Sequence, residues 1–112
     1  AVLDYLRLKK ERRVFFSDTA MDELKRISAW VGELVILTMG GRERVTVEEV
    51  ERGDELLVQI RSLHDSMIAG HLQRLRGGTC TMDAGVLYSD ILNAFVRMSE
   101  SCCAILRAGR SE

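Results

Sequence analysis

The sequence predicts an all-α protein, an antiparallel up-down-up three-helix bundle. Three long segments carry apolar residues at helical spacing, and no segment alternates convincingly at period two. The 112 residues include no proline, are 46% hydrophobic and 29% charged, and so fit a single folded domain. Because the connections near residues 40–45 and 77–81 are short, consecutive helices are expected to lie side by side in opposite directions.

The first helix is predicted over residues 18–39. Ser17 is placed as its N-cap, with Phe16 and Met21 as a hydrophobic staple across the cap. Gly40 and Gly41 are expected to end the helix. One apolar stripe follows helical spacing: Ala20, Leu24, Ile27, Val31, Leu34, Val35 and Thr38.

The second helix is predicted over residues 47–76. Thr46 and Glu49 have the spacing of a capping box at its start, and Gly77 and Gly78 break it. Its stripe consists of Val50, Leu57, Ile60, His64, Ile68, His71 and Leu75. Acidic residues crowd its first turns, where they favour the helix dipole. This acidic face continues through Asp54 and Glu55, and we expect its residues to be surface charges paired with Arg52 or Arg61.

The third helix is predicted over residues 82–107, with Thr81 as its cap. The residues expected to face inward are Ala84, Leu87, Ile91, Ala94, Phe95, Met98, Cys102 and Ile105. Four of these lie seven apart, a spacing that suits long antiparallel helices packed at shallow angles.

Residues 1–16 are expected to be a short helical or irregular extension, either the tail of a preceding helix or a junction. The chain starts at Ala1 in charged, helix-like sequence. We therefore interpret residues 17–108 as one bundle belonging to a longer protein.

The net charge and the cysteine content indicate which binding partners and which cell compartment the sequence favours. A net charge of −1 gives no case for binding nucleic acid or an anionic membrane, and no apolar run approaches the roughly 20 residues of a membrane helix. Cys80, Cys102 and Cys103 are an odd set with an adjacent pair, which favours a reducing compartment and small core side chains over a disulfide framework.

The order of residues from His71 to Leu106 resembles the C-terminal half of a PhoU-type helical bundle. The matching residues are the His-Leu-Gln-Arg-Leu run at 71–75, the Gly-Gly-Thr-Cys loop at 77–80 and the Ser-Asp-Ile-Leu-Asn run at 89–93. The resemblance is to the version fused to bacterial sodium/phosphate cotransporters. It implies a non-catalytic regulatory or interaction domain that docks to a transporter or partner helices, located in the cytoplasm and tethered to the inner membrane through the rest of the chain.

The resemblance extends only in part to the family's metal signature. The signature places carboxylates four residues apart on one helix face, where they can share a hard metal. Here the matching positions are Val96 and Glu100, and Ser101 stands where a histidine usually follows. Glu100 is thus the one candidate ligand for a divalent or ferric metal, and no cofactor is expected.

Ser89, Asn93, Val96 and Cys103 are predicted to share the outer face of the third helix with Glu100. Their small or weakly polar side chains would let another helix approach closely, so this strip is the candidate interaction face. The partner would be the membrane transporter part of the same or another chain, and a homodimer stays open.

His64 and His71 allow two interpretations: they are a pair of metal ligands or a pH-sensitive joint, or they are imidazoles with a local structural role. Two helical turns separate them by about 10.5 Å along the axis, too far to share one ion without a third element, so each is expected to bond to a neighbour or lie at the core edge.

The sequence has no catalytic arrangement at meaningful spacing, which predicts a protein without enzymatic activity. Two alternative functions stay open: a metal-binding bundle in which Glu100 acts with Asp90 or a neighbouring copy, and a structural dimerisation module unrelated to phosphate.

Overall fold

The protein is a three-helix bundle, seen in a computed structural model that describes residues 16–40, 44–78 and 81–111. Helix α1 spans Asp18–Thr38, α2 spans Val47–Arg76 and α3 spans Met82–Ser111. Each helix packs against the other two, which confirms the predicted all-α bundle. The expected extension over residues 1–16 lies outside the described residues, apart from Phe16.

Cross-helix pairs establish the helix directions. Between α2 and α3, Asp54 pairs with Arg107, and Arg61 pairs with Glu100 farther along α2, so the two helices run in opposite directions. Glu33 of α1 pairs with Arg52 near the start of α2, whereas Glu23 approaches Arg74 near its end. This gives α1 and α2 opposite directions as well, and hence α1 and α3 the same one.

The predicted helix starts are confirmed by their hydrogen bonds. The hydroxyl of Ser17 accepts from the backbone N–H of Ala20 at 3.1 Å. Thr46 and Glu49 form the full capping box, since each side chain accepts from the other residue's backbone N–H. The hydroxyl of Thr81 accepts from the N–H of Ala84 at 3.1 Å. These bonds satisfy amide groups that the first turn of a helix leaves without partners.

The sequence predicts the end of α2 correctly but places the end of α3 too early. Helix α2 stops at the glycine pair, where Gly78 has a φ of 74° that a side chain would disfavour. Gly41 of the first predicted stop lies outside the described residues. Helix α3 continues past its predicted end at residue 107. Its Gly109 lies close to Val45, and a Cβ at that position would be 2.6 Å from Val45 Cγ2, so this glycine permits close packing.

The core lies along the inner sides of all three helices. Its largest fully buried side chains include Ile27 and Leu34 of α1, Leu56 and Ile60 of α2, and Leu92 of α3. No described helix is long and apolar enough to cross a membrane.

The inner face of α3 differs from the predicted one. Ala84, Ile91, Phe95 and Cys102 are buried as expected, but Met98 and Ile105 are 43% and 57% exposed. An α-helix falls about 20° short of two turns in every seven residues, so a seven-residue series turns away from the core over three heptads. The buried residues instead follow spacings of eleven: Ala84 with Phe95 and Leu106, Tyr88 with Ser99, Ile91 with Cys102, and Leu92 with Cys103.

Candidate functional site

The end of the bundle that carries the α2–α3 loop holds a polar cluster within the core. Tyr88 of α3 is 1% exposed, and its hydroxyl donates to Glu23 Oε1 of α1 at 3.4 Å. The guanidinium of Arg74 from α2 lies 5.5 Å above the Tyr88 ring and 4.0 Å from the same Glu23 oxygen. One side chain from each helix thus meets at this point, which fixes the three helices relative to one another.

Tyr88 stays protonated in this setting. Burial raises its pKa to about 12, and the negative charge of Glu23 acts in the same direction. Phe16 packs edge-on against the ring, with centroids 5.4 Å apart. The phenol is therefore a buried hydrogen-bond donor and a packing element at neutral pH.

His71 lies beside this cluster and is 5% exposed. Its ring is tilted against that of Tyr88, with centroids 5.5 Å apart, and lies over Gly85 of α3. Burial lowers the pKa of His71, and the positive charge of Arg74 lowers it further. The imidazole is consequently neutral at neutral pH, and the absence of a side chain at Gly85 makes room for it.

A surface groove of about 300 Å³ opens next to His71, between the end of α2 and the start of α3. Met82 and Val86 on its wall are 72% and 59% exposed. We call this the α2/α3 groove; its lining is His71, Leu75, Met82, Gly85, Val86, Ser89 and Asp90. Apolar walls with a few polar groups and a histidine of shifted pKa are typical of a binding site.

The predicted interaction face does not form one exposed strip, because these residues lie on the side of α3 that meets α2. Ser89 is half-buried in the α2/α3 groove, and Val96 packs against the core. Asn93 is exposed, with Oδ1 3.0 Å from Nε2 of His64. The prediction of an exposed Cys103 is wrong: it is 2% exposed and its thiol donates to the carbonyl of Gly53 at 3.4 Å.

The predicted metal ligand Glu100 is part of an ion pair. Its Oε2 lies 2.8 Å from the guanidinium of Arg61, at the exposed seam between α2 and α3. Asp90 is ten residues away on the same helix, or about 15 Å along its axis, so the two carboxylates do not meet in one copy. Within residues 16–40, 44–78 and 81–111, no three potential metal ligands come together.

The two histidines occupy different surroundings. His64 lies between two polar side chains: its Nδ1 is 3.1 Å from Oδ1 of Asp65, and its Nε2 faces Oδ1 of Asn93. His71 lies in the core. The expected pairing of the acidic face with Arg52 is confirmed for Glu55, whose Oε2 lies 3.4 Å from Arg52 Nη1, whereas Asp54 pairs with Arg107 at 2.7 Å. Sequence spacing could not identify Arg107 as the partner of Asp54, because the spacing of residues along one helix carries no information about which residues of another helix lie opposite them.

Sequence reasoning missed Tyr88, Glu23 and Gly85 as parts of the site. Tyr88 follows Ala84 by four residues and precedes Ile91 by three, so helical spacing could have placed it inside. Nothing in the local sequence marks Glu23 as its partner, since the pair is 65 residues apart.

Comparison with known proteins adds no relative. No protein-family model matches the chain, and no curated protein or solved structure matches it. The PhoU-type relationship accordingly stays a prediction from the residues between His71 and Leu106.

Proposed function

We propose that this chain is a non-catalytic regulatory domain associated with sodium-dependent phosphate transport, which acts by docking onto a transporter or its partner helices. The observation that carries the proposal is the composition of the α2/α3 groove. His71 and Leu75 come from the His-x-x-Arg-Leu end of α2, and Ser89 and Asp90 come from the start of the second matching run. Two separate segments of the resemblance thus supply one concave surface.

The groove suits an apolar partner that also carries a positive charge. Met82 and Val86 offer exposed apolar surface whose burial would favour association. Asp90 is exposed and has no ion pair within the described residues, so its carboxylate is available to a Lys or Arg side chain. An amphipathic helix with a basic flank has this combination of features.

The polar cluster behind the groove would hold this surface in shape. Arg74 and Tyr88 connect the groove walls to Glu23 of α1, so the ends of α2 and α3 are held at a fixed separation. A preformed groove loses less conformational entropy on binding than one that must be assembled.

The experiment is a measurement of sodium-dependent phosphate uptake in cells that express the protein, lack it, or carry Val86→Lys. We expect loss of the protein to change the uptake rate and Val86→Lys to have the same effect, because a lysine in the groove wall would repel a basic partner. The matched control is Val58→Lys, at a valine of α2 that is 66% exposed and lies outside the groove. Uptake that is the same with and without the protein would rule out the phosphate role.

A further inference from the structure

The imidazole of His71 is both a buried side chain and part of the wall of a surface cavity. It is 5% exposed, yet it lines the α2/α3 groove of about 300 Å³. A Cβ on Gly85 would be 2.5 Å from its Cε1 and 2.9 Å from its Nε2, so this edge of the ring is turned towards α3. A proton taken up by the ring therefore places a positive charge between two packed helices, next to the groove.

The charged and titratable groups around His71 come from all three helices. Arg74 of α2 follows one turn later, and its guanidinium lies 5.5 Å from the centre of the Tyr88 ring and 4.0 Å from Oε1 of Glu23. Tyr88 of α3 is protonated, because its pKa is raised to about 12. Asp90 of α3 lies on the wall of the groove. The interior of the bundle thus presents a guanidinium to the ring, whereas the groove offers a carboxylate.

A proton on His71 is unfavourable while the ring stays in this position. Burial withholds water from the imidazolium and the like charge of Arg74 repels it, and both effects lower the pKa of His71. The carboxylate of Glu23 offsets little of this cost, since it already faces Arg74 and accepts from the Tyr88 hydroxyl. On the α3 side the ring already fills the space that Gly85 leaves free.

The groove provides what a charged ring needs: space, water and an opposite charge. Its volume of about 300 Å³ is ample for an imidazole, and a change of side-chain rotamer is the only movement required. Asp90 is exposed and has no ion pair in the described part of the chain. An ion pair between a histidine and a carboxylate favours the protonated imidazole.

We propose that proton uptake closes the α2/α3 groove: protonated His71 leaves Gly85, turns into the groove and pairs with Asp90. The inference rests on the proposed docking function, since it makes His71 the regulator of that site. In the closed groove the ring takes the space of the partner's apolar side chains and the carboxylate that the partner's Lys or Arg would use. Docking is thus allowed at neutral pH and blocked at acid pH, and by reciprocity a bound partner makes His71 harder to protonate.

The test is nuclear magnetic resonance of the isotope-labelled 112-residue chain, titrated from about pH 7.5 to 5.0. We expect the Hε1 signal of His71 to titrate with a midpoint below 6.5, and the backbone amides of Met82 and Val86 to shift with the same midpoint. As the ring titrates, its nuclear Overhauser contacts to Gly85 should be lost and contacts to Val86 gained. These contacts distinguish a movement of the ring from a change of charge alone.

The two histidines of the chain give a matched pair of variants. His71→Gln should abolish the shift of the groove amides with this midpoint, since glutamine gains no proton. His64→Gln should leave it, because His64 faces Asn93 outside the groove. Contacts of the ring to Gly85 that persist after protonation would overturn the closure. Loss of the dispersed spectrum at the His71 midpoint would overturn it too, since proton uptake would then unfold the bundle.

Asp90→Asn tests the carboxylate that receives the ring. It should move the His71 midpoint down by at least about 0.5 pH unit, because an opposite charge nearby favours the imidazolium. Asp83→Asn removes the same charge from an exposed position of α3 outside the groove and should move the midpoint less. Equal shifts in both variants would contradict the pairing with Asp90. Neither phosphate nor a partner enters these measurements, so closure and the uptake test with Val86→Lys can fail separately.

Discussion

The imidazole of His71 occupies the space that a side chain at Gly85 would need. A Cβ on Gly85 would be 2.5 Å from His71 Cε1 and 2.9 Å from Nε2, distances that would force the ring or the helix to move. Helix α3 passes close to α2 at this point because Gly85 has no side chain. The pair thus determines both the position of the ring and the depth of the groove beside it.

Gly85→Ala is expected to destabilise the protein by about 1–3 kcal/mol, the usual cost of overpacking a filled core. Urea unfolding followed by circular dichroism measures it. Gly32→Ala is the matched control, since a Cβ there meets nothing within 4 Å and alanine is the better helix former. We expect Gly32→Ala to be neutral or to stabilise by up to about 1 kcal/mol. A Gly85→Ala variant as stable as Gly32→Ala would contradict the packing of His71 on Gly85.

Stability is expected to fall as the pH drops below about 6.5 through the titration of His71. Burial first, and then Arg74, lowers the pKa of His71 in the folded state below the 6.5 of the unfolded chain. As the pH falls, the unfolded state therefore binds the proton before the folded state does. The stability that neutral His71 contributes is fully present above pH 6.5 and is lost as the pH falls towards the pKa of His71 in the folded state. One group changes the unfolding free energy by at most about 1.4 kcal/mol per pH unit.

Urea midpoints at pH 7.5 and 5.5, for the natural chain and for His71→Gln, separate this residue from the other titrating groups. Glutamine cannot gain a proton, so its variant should be less stable at pH 7.5 but show a smaller drop between the two pH values. An equal drop in both proteins would show that His71 does not cause the pH dependence.

The three helices were predictable because their signals are local. The caps at Ser17, Thr46 and Thr81 and the stop at Gly78 depend on residues within one turn of each helix end. The face of α3 was harder to predict, since both a seven-residue and an eleven-residue series of apolar residues are present. Only packing against α1 and α2 determines which series is buried, and this choice places Cys103 inside and Met98 outside.

The candidate site was predictable only in part for the same reason. Helical spacing alone places His71 in the apolar stripe of α2, and the structure confirms that its side chain is buried. Its partners depend on contacts between distant segments: Tyr88 with Glu23, and Asp54 with Arg107. Such pairs follow from how the helices are aligned lengthwise, which the sequence of a single helix does not specify.

Cys103 is expected to be unreactive in the folded protein. Burial raises the pKa of its thiol, the negative charge of Asp54 raises it further, and the thiol donates to the carbonyl of Gly53. The reactive species is the thiolate, which is scarce under these conditions. In a Cys80→Ser, Cys102→Ser variant, a thiol-specific reagent at pH 7.5 should react only after unfolding in guanidinium. Rapid reaction of the folded variant would contradict the buried position of Cys103.

Thr46→Ala is expected to destabilise the protein by about 0.5–2 kcal/mol, the usual effect of losing an N-cap side chain. The Thr46 hydroxyl accepts from the backbone N–H of Glu49 at 3.1 Å, and Glu49 Oε1 accepts from the N–H of Thr46 at 2.9 Å. Alanine removes the first of these bonds and leaves one amide of the first turn to water. Thr46→Ser keeps the hydroxyl and should retain nearly all of the stability in the same urea titration. If serine costs as much as alanine, the methyl group of Thr46 and not its hydroxyl would be the stabilising element.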